Sequence, residues 1–259
     1  MNCMKKITFT VVCSLMISAT CIAQESFYTG EELNYKISYS IFTIGKASVV
    51  VEDREEVNDE YKIVARGETT GLVGVFSKIS DEWGAHVNKR SLQPTYAYRR
   101  IREGKYKRDE DVDFDSTRIV LNEWSFSAGK YKDPVVYNSP SRVFEFLSGM
   151  LYVRSLDLTN FQEGQRVAFK AFFEGKFYDF QVEYQGKERI RTKLGKINAI
   201  KLVPIMPDNS IFDGEDSVEI WISDDENKIP LKVEADMFIG SAGCAITSVK
   251  NLKYPLNRS

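Results

Sequence analysis

Two-residue alternation runs through this chain from Leu33 almost to its end, and it confines the fold to β architecture. Leu33, Tyr35, Ile37 and Tyr39 alternate with polar residues, the period of a strand with one buried face. The same habit predicts strands over 47–51, 61–65, 76–83, 95–101, 106–114 and 119–126. It returns over 166–173, 177–184, 188–192, 197–204, 217–222, 231–235 and 245–252. Glu103-Gly104, Glu174-Gly175, Gln185-Gly186 and Leu194-Gly195 read as the turns between strands, and Asp213 to Asp216 as another. Short strands at regular spacing make antiparallel hairpins. The expected fold is mainly β: a large antiparallel curved sheet, as a half-barrel, open barrel or sandwich.

One segment breaks the alternation. Ser139-Pro140-Ser141 has the form of an N-cap followed by proline at the first helical position. Val143, Phe144, Phe146, Leu147, Met150, Leu151 and Val153 then recur at spacings of three and four. This predicts a single amphipathic helix over 140–154, packed on the core or over a concave face. Gly149 costs it about 1 kcal/mol relative to alanine. Matching spacings from Gly30 to Trp83 and from Gly164 to Trp221, each followed by Pro94 or Pro230, suggest two related β halves, 27–138 and 161–255. The helix would join them within a single β domain, 24–259.

The first 23 residues are an address. Lys5 and Lys6 precede the uncharged apolar run Ile7 to Ile17, and Cys21-Ile22-Ala23 suits cleavage before Gln24. A lipid on Cys21 is the alternative, but Ser18 and Thr20 stand where a lipobox has Leu and a small Gly or Ala. The mature protein is expected outside the cytoplasm, periplasmic or associated with the envelope. No later apolar run is long enough to span a bilayer. With the leader gone, 37 acidic residues outnumber the remaining basic ones, which argues against nucleic acid as a partner. Only Cys244 survives cleavage, so no intramolecular disulfide is available, and its small apolar neighbours read it as a buried hydrophobe.

Catalytic signatures are missing. His86 is the one histidine, and no phosphate loop, nucleophile elbow, dinucleotide fingerprint or zinc spacing occurs. No cofactor and no metal are expected. Calcium on the alternating Asp109, Asp111, Asp113 and Asp115 is disfavoured because a straight strand spaces them about 7 Å apart. The charge-dense hairpin 96–115 stands out instead. With Glu103-Gly104 as a two-residue turn, Arg102 faces Lys105, Arg100 faces Lys107 and Arg99 faces Arg108, pairings that destabilise a ladder. Either the register differs, or carboxylates from elsewhere neutralise the cluster, or an anion binds there. A solvated edge that resists aggregation is the plainest reading. Phe172-Phe173 and Phe177-Tyr178 put aromatics on both faces of the next hairpin, which hints at an apolar groove.

Several of these residues form an ordered pattern. Gly30-Glu-Glu-Leu-Asn-Tyr35, Gly45-Lys-Ala47, Tyr61 with Arg66-Gly67, the segment Val143 to Arg154, and Ile220-Trp-Ile-Ser-Asp-Asp225 leading to Ile229-Pro230 follow one another. In these the mature chain resembles the exported bacterial family called domain of unknown function 3108. The resemblance implies an exported β protein and no particular reaction. Family members often carry Asp at the place of Glu145. The pattern also looks like envelope carriers built as half-barrels with a helix over the concave face.

Three functions are compatible with these observations. The first is a non-enzymatic binder of a lipid or lipoprotein acyl chain, with Trp83, Trp221, Phe146 and Met150 lining a groove and Arg99, Arg100 and Arg102 meeting an anionic headgroup. The second is a scaffold in surface glycan or envelope assembly, with an anionic glycan or an envelope protein as partner. The third is a hydrolase using paired carboxylates.

Overall fold

The computed structural model describes residues 26–54, 57, 59–71, 74, 78–205 and 217–258. The leader and its cleavage site, Phe76 and the turn at Asp213 to Asp216 lie outside them. Fifteen strands pair antiparallel into one sheet among these residues. The first half supplies β1 (Glu32–Tyr39), β2 (Phe42–Asp53), β3 (Glu60–Thr69), β4 (Ser80–Asn88), β5 (Pro94–Glu103), β6 (Tyr106–Phe114), β7 (Arg118–Ser125), β8 (Lys130–Tyr131) and β9 (Val135–Asn138). Helix α1 (Phe146–Ser155) follows. The second half is β10 (Arg166–Phe173), β11 (Lys176–Thr192), β12 (Gly195–Ile205), β13 (Val218–Ser223), β14 (Pro230–Asp236) and β15 (Ser241–Lys250).

Each half is a meander, and β15 pairs with β1, so the ends of the folded chain lie side by side in mid-sheet. The two free edges, β10 on one side and β8 with β9 on the other, approach each other where the chain crosses between halves. There Phe144 donates its N–H to the Lys170 carbonyl and accepts from Phe172, at 2.9 and 2.8 Å. Tyr137 of β9 packs its ring 5.1 Å from Phe172 of β10. Side chains and one extended segment thus close most of the gap between the edges of a curved, barrel-like sheet.

Burial follows the alternation. Leu33 and Tyr35 of β1, and Tyr61 and Ile63 of β3, point inward. Leu147 and Leu151 of α1 join Ile63, Ala85 and Val87 in the core beneath the helix. A second core gathers Leu33, Ile197, Trp221, Leu231 and Ile246. In β12, consecutive residues Ala199 and Ile200, then Leu202 and Val203, are buried, so this strand is covered on both faces.

Four expectations need correction. The helix begins at Phe146, six residues after the predicted start, because Phe144 spends its backbone groups on the β10 edge. The N-cap is Glu145, whose carboxylate accepts from the Leu147 and Ser148 amides while Ser148 accepts from the Glu145 N–H. Gln185-Gly186 is no turn. β11 runs through it with a bulge, and Gly186 takes the positive φ, +95°, that the bulge requires. The charged hairpin turns at Gly104-Lys105, one residue later than expected, and it lies between β4 and β7 instead of at an edge. That slip pairs Arg102 with Lys107, Arg100 with Asp109 and Arg99 with Glu110. Two short strands, β8 and β9, escape the alternation reading altogether.

A Cβ at Gly149 would lie 3.4 Å from Phe169 Cε2, an ordinary packing contact, so the structure gives no steric reason for glycine there.

Candidate functional site

The concave face holds a cavity of about 30 Å³ between β4, β5, β6, the β10–β11 turn and the start of α1. Trp83, Arg99, Glu110, Phe146, Phe173 and Glu174 are among the residues around it. Arg99 points inward because the alternation of β5 places it with Ala97 and Ile101, and it is 8% exposed. A buried guanidinium needs full pairing. Glu110, its cross-strand partner, meets it in a fork: Arg99 Nη2 donates to both carboxylate oxygens at 2.8 and 3.0 Å, and Nε donates to Oε1 at 3.1 Å. Nη1 reaches across the gap to Glu174 at 3.1 Å. The guanidinium carbon sits 4.5 Å above the Phe173 ring and 5.7 Å from that of Trp83. Phe146 covers the outer side, edge-on to Trp83 at 5.5 Å.

Glu110 also takes Arg108, at 2.6 Å. Arg108 Nε is the one buried side-chain polar atom without a hydrogen-bond partner among the described residues. The cavity has room for about one water molecule, whereas a preformed small-molecule pocket occupies about 300–1,000 Å³. A smaller void of about 10 Å³ lies between Val153, Leu158, Phe161 and Tyr184.

The sequence-predicted residues divide among four places. Trp83, Arg99 and Phe146 meet at the cavity. Met150, half-buried, packs into the core beneath α1. Arg100 and Arg102 point to the opposite face of β5, where each is held by a carboxylate. Arg100 Nη2 bonds Asp111 at 2.6 Å, and Arg102 forks onto Asp109 at 2.6 and 3.0 Å. Asp111 also accepts from Tyr96 and, at 3.2 Å, from Tyr131. Trp221 stands apart in the β12–β14 core, its indole N–H donating to Glu188 and its ring flanked by Lys201 and Lys232.

Sequence reasoning missed Glu110 and Glu174 as partners, because the assumed register set Arg99 opposite Arg108. It also missed a fully buried ion pair. Arg154, 1% exposed, ends α1 and forks onto Glu31 at 2.7 and 2.8 Å. Its remaining donors reach the carbonyls of Asn227 and Ser26. The Asn227 side chain in turn holds both backbone groups of Tyr254. Asp225 shapes that turn by accepting from Ser223, Asn227, Lys228 and Asn257.

The carboxylates of the cavity are thus committed to arginines or to the helix cap. Burial pushes the Glu145 carboxyl above its ordinary value, against the opposing pull of the two amides it caps. Burial likewise lifts the Cys244 thiol to about 11, which suits an inert packing residue. Among the described residues no three histidine, cysteine or acidic side chains converge as a metal site. No described helix is long and apolar enough to cross a membrane.

The fold is similar to that of solved proteins. A beta-barrel-like protein of domain of unknown function DUF1849 from Brucella abortus superposes with a TM-score of 0.59 at 9% identity, covering 87% of this chain and 99% of that one. Looser matches are a candidate exported protein with a YmcC-like fold from Bacteroides fragilis (TM-score 0.37, 10% identity, 87% and 97% covered) and a candidate lipoprotein from Parabacteroides distasonis (0.30, 11%, 88% and 99%). No curated protein matches the chain. The sequence profile of the family described as protein of unknown function DUF3108 matches residues 34–247, the greater part of the chain, and the protein belongs to that family.

Proposed function

We propose that this is an exported cell-envelope protein that acts through its outer surface, as a non-enzymatic scaffold, and not as a carrier of a lipid in its concave face. The observation behind this reading is the filled cavity: about 30 Å³, stoppered by Phe146, Trp83 and Phe173 and crossed by the Arg99–Glu110–Glu174 bridge. The leader supports export, and residues 24–259 act as one β domain. A rigid curved sheet with a riveted interior suits the presentation of surfaces to partners.

The carrier reading retains one supporting observation. Phe146, 60% exposed, is the outermost ring of the aromatic stopper, and its displacement would open the cavity toward solvent. Titration of the mature protein with a fluorescent fatty acid, read by quenching of Trp83, separates the two. Trp83→Phe identifies the signal and Phe146→Ala opens the stopper. The scaffold reading predicts no saturable Trp83-dependent signal in the wild type. Stoichiometric, saturable binding would replace it with the carrier reading.

A further inference from the structure

The turns at the two ends of the sheet have opposite chemistry. At one end lie the β2–β3, β4–β5, β6–β7 and β13–β14 connections; several of their charges are paired within the protein, and exposed Asp115 and Glu226 are acidic without an ion pair among the described residues. Lys89 meets Asp53 at 3.0 Å, Arg54 meets Glu60 at 2.6 Å, and Lys187 meets Asp224 at 2.9 Å. Of the exposed large hydrophobic residues, only Tyr28 and Val57 belong to this end among the described residues.

The other end carries the β1–β2, β5–β6, β7–β8 and β14–β15 turns, and these are tipped with apolar side chains. Ile41 is 89% exposed, Ile239 81%, Phe42 66% and Phe238 61%; Tyr106 and Phe126 are also exposed. The tips are braced side by side. Tyr39 donates its hydroxyl to the Ile239 carbonyl at 2.6 Å, and Ser40 bonds Ser241 at 2.7 Å. Gly104 donates to the Lys78 carbonyl at 2.8 Å, tying the β5–β6 turn to the chain before β4. Exposed Lys78, Lys105, Lys107 and Lys130 stand among these tips, with no ion pair among the described residues. Among the described residues, Glu103 and Asp236 are exposed carboxylates nearby without an ion pair, while Glu68 and Glu234 are taken by Lys46 and Lys232.

We propose that this rim docks the protein onto an anionic lipid surface, with Ile41, Phe42, Phe238 and Ile239 entering the headgroup–acyl boundary and the lysines meeting lipid phosphates. A bilayer fits better than a protein partner for two reasons. The apolar groups stand on separate turns, so each can insert alone without a complementary packed core. The free charges are lysines, which protein interfaces deplete and membrane interfaces accommodate by snorkelling. The arginines of the neighbouring hairpin are already spent on carboxylates. Apolar insertion plus electrostatic attraction is the general basis of peripheral binding. The proposal goes beyond the scaffold reading and does not rest on the filled cavity.

Vesicle cosedimentation of the mature protein tests it, with vesicles of phosphatidylethanolamine and phosphatidylglycerol against vesicles of phosphatidylcholine alone. The wild type is expected to pellet with the anionic vesicles and to be released by salt. Ile41→Ser with Ile239→Ser weakens binding by roughly tenfold or more, and Lys105→Glu with Lys107→Glu weakens it and flattens its salt dependence. All four side chains are exposed, so melting temperatures stay at the wild-type value. Lys193→Glu, on the opposite end, leaves binding unchanged. A wild type that stays in the supernatant with both vesicles, or tip variants that pellet as well as the wild type, would overturn the proposal. So would tip variants that keep vesicle binding but lose a protein partner. Fatty-acid binding at Trp83 that persists in the tip variants concerns the cavity alone and leaves this result readable.

Discussion

Arg154 and Arg99 make the same forked pair with a glutamate, and only their surroundings differ. Arg154 with Glu31 is sealed at 1% exposure on both sides, and Arg154 Nε and Nη2 also donate to backbone carbonyls. Arg99 with Glu110 is nearly as buried, but its third partner, Glu174, is half in solvent, and a second arginine stands behind Glu110. Burial of an ion pair gains little net stability over a well-packed apolar core, yet removing one partner is costly because the other charge is stranded. The first pair therefore acts as a lock that joins the N-terminal segment, the end of α1 and the β13–β14 turn. The second acts as a clasp across the gap between the two edges of the sheet.

The largest expected effect breaks the lock. Arg154→Met strands Glu31 and should cost about 3–5 kcal/mol, read as a fall in the urea midpoint. Adding Glu31→Gln should return part of that loss, because the stranded charge is gone. Arg99→Met should cost less, about 1–3 kcal/mol, because Arg108 still neutralises Glu110. Equal losses for Arg154→Met and Arg99→Met would erase the distinction between lock and clasp.

A smaller effect sharpens the comparison through pH. Glu145 caps α1 beside the clasp, and its carboxyl is raised above the ordinary value chiefly by burial. A carboxylate with a raised folded pKa opposes folding while ionised. That penalty is relieved as pH falls through the raised value, and it is gone below the unfolded value. Melting curves from about pH 7.5 to about pH 4, spanning the ordinary carboxylate range and above, should therefore shift in favour of the wild type relative to Glu145→Gln. A difference that stays flat across that range would contradict the desolvated cap. The smallest effect lies in the second core: Cys244, its thiol lifted to about 11 by burial, should resist alkylation at neutral pH until the protein unfolds.

Most of the sheet was legible because burial of one face writes itself as alternation. β6 and β10 fall on their predicted bounds, 106–114 and 166–173. The failures share a cause: backbone pairing that no side-chain period reports. Phe144 reads as a helical residue by spacing, yet its N–H and carbonyl complete the β10 edge. Gly186 reads as a turn glycine, yet it serves a bulge inside β11. At the charged hairpin a turn placed one residue later moved every partner by two, which set Arg99 opposite Glu110 and Arg100 opposite Asp109 and left only Arg102 opposite a lysine. Arg154 looked like an ordinary basic residue at a helix end, and only the tertiary fold brings Glu31 to it from 123 positions away. The family pattern held the better clue. Glu31, Arg154 and Asp225 all lie in the motifs that carry the resemblance; Glu31 and Arg154 form the lock, and Asp225 shapes the turn that meets it.

The central claim is that the concave face is filled and clasped shut. Native mass spectrometry of the mature protein purified from its own envelope, followed by organic extraction, tests it most directly. The account predicts the bare polypeptide mass and an extract without stoichiometric lipid. A copurifying lipid of defined mass, retained by Ile41→Ser/Ile239→Ser and lost on Phe146→Ala, would contradict it and return the cavity to a carrier.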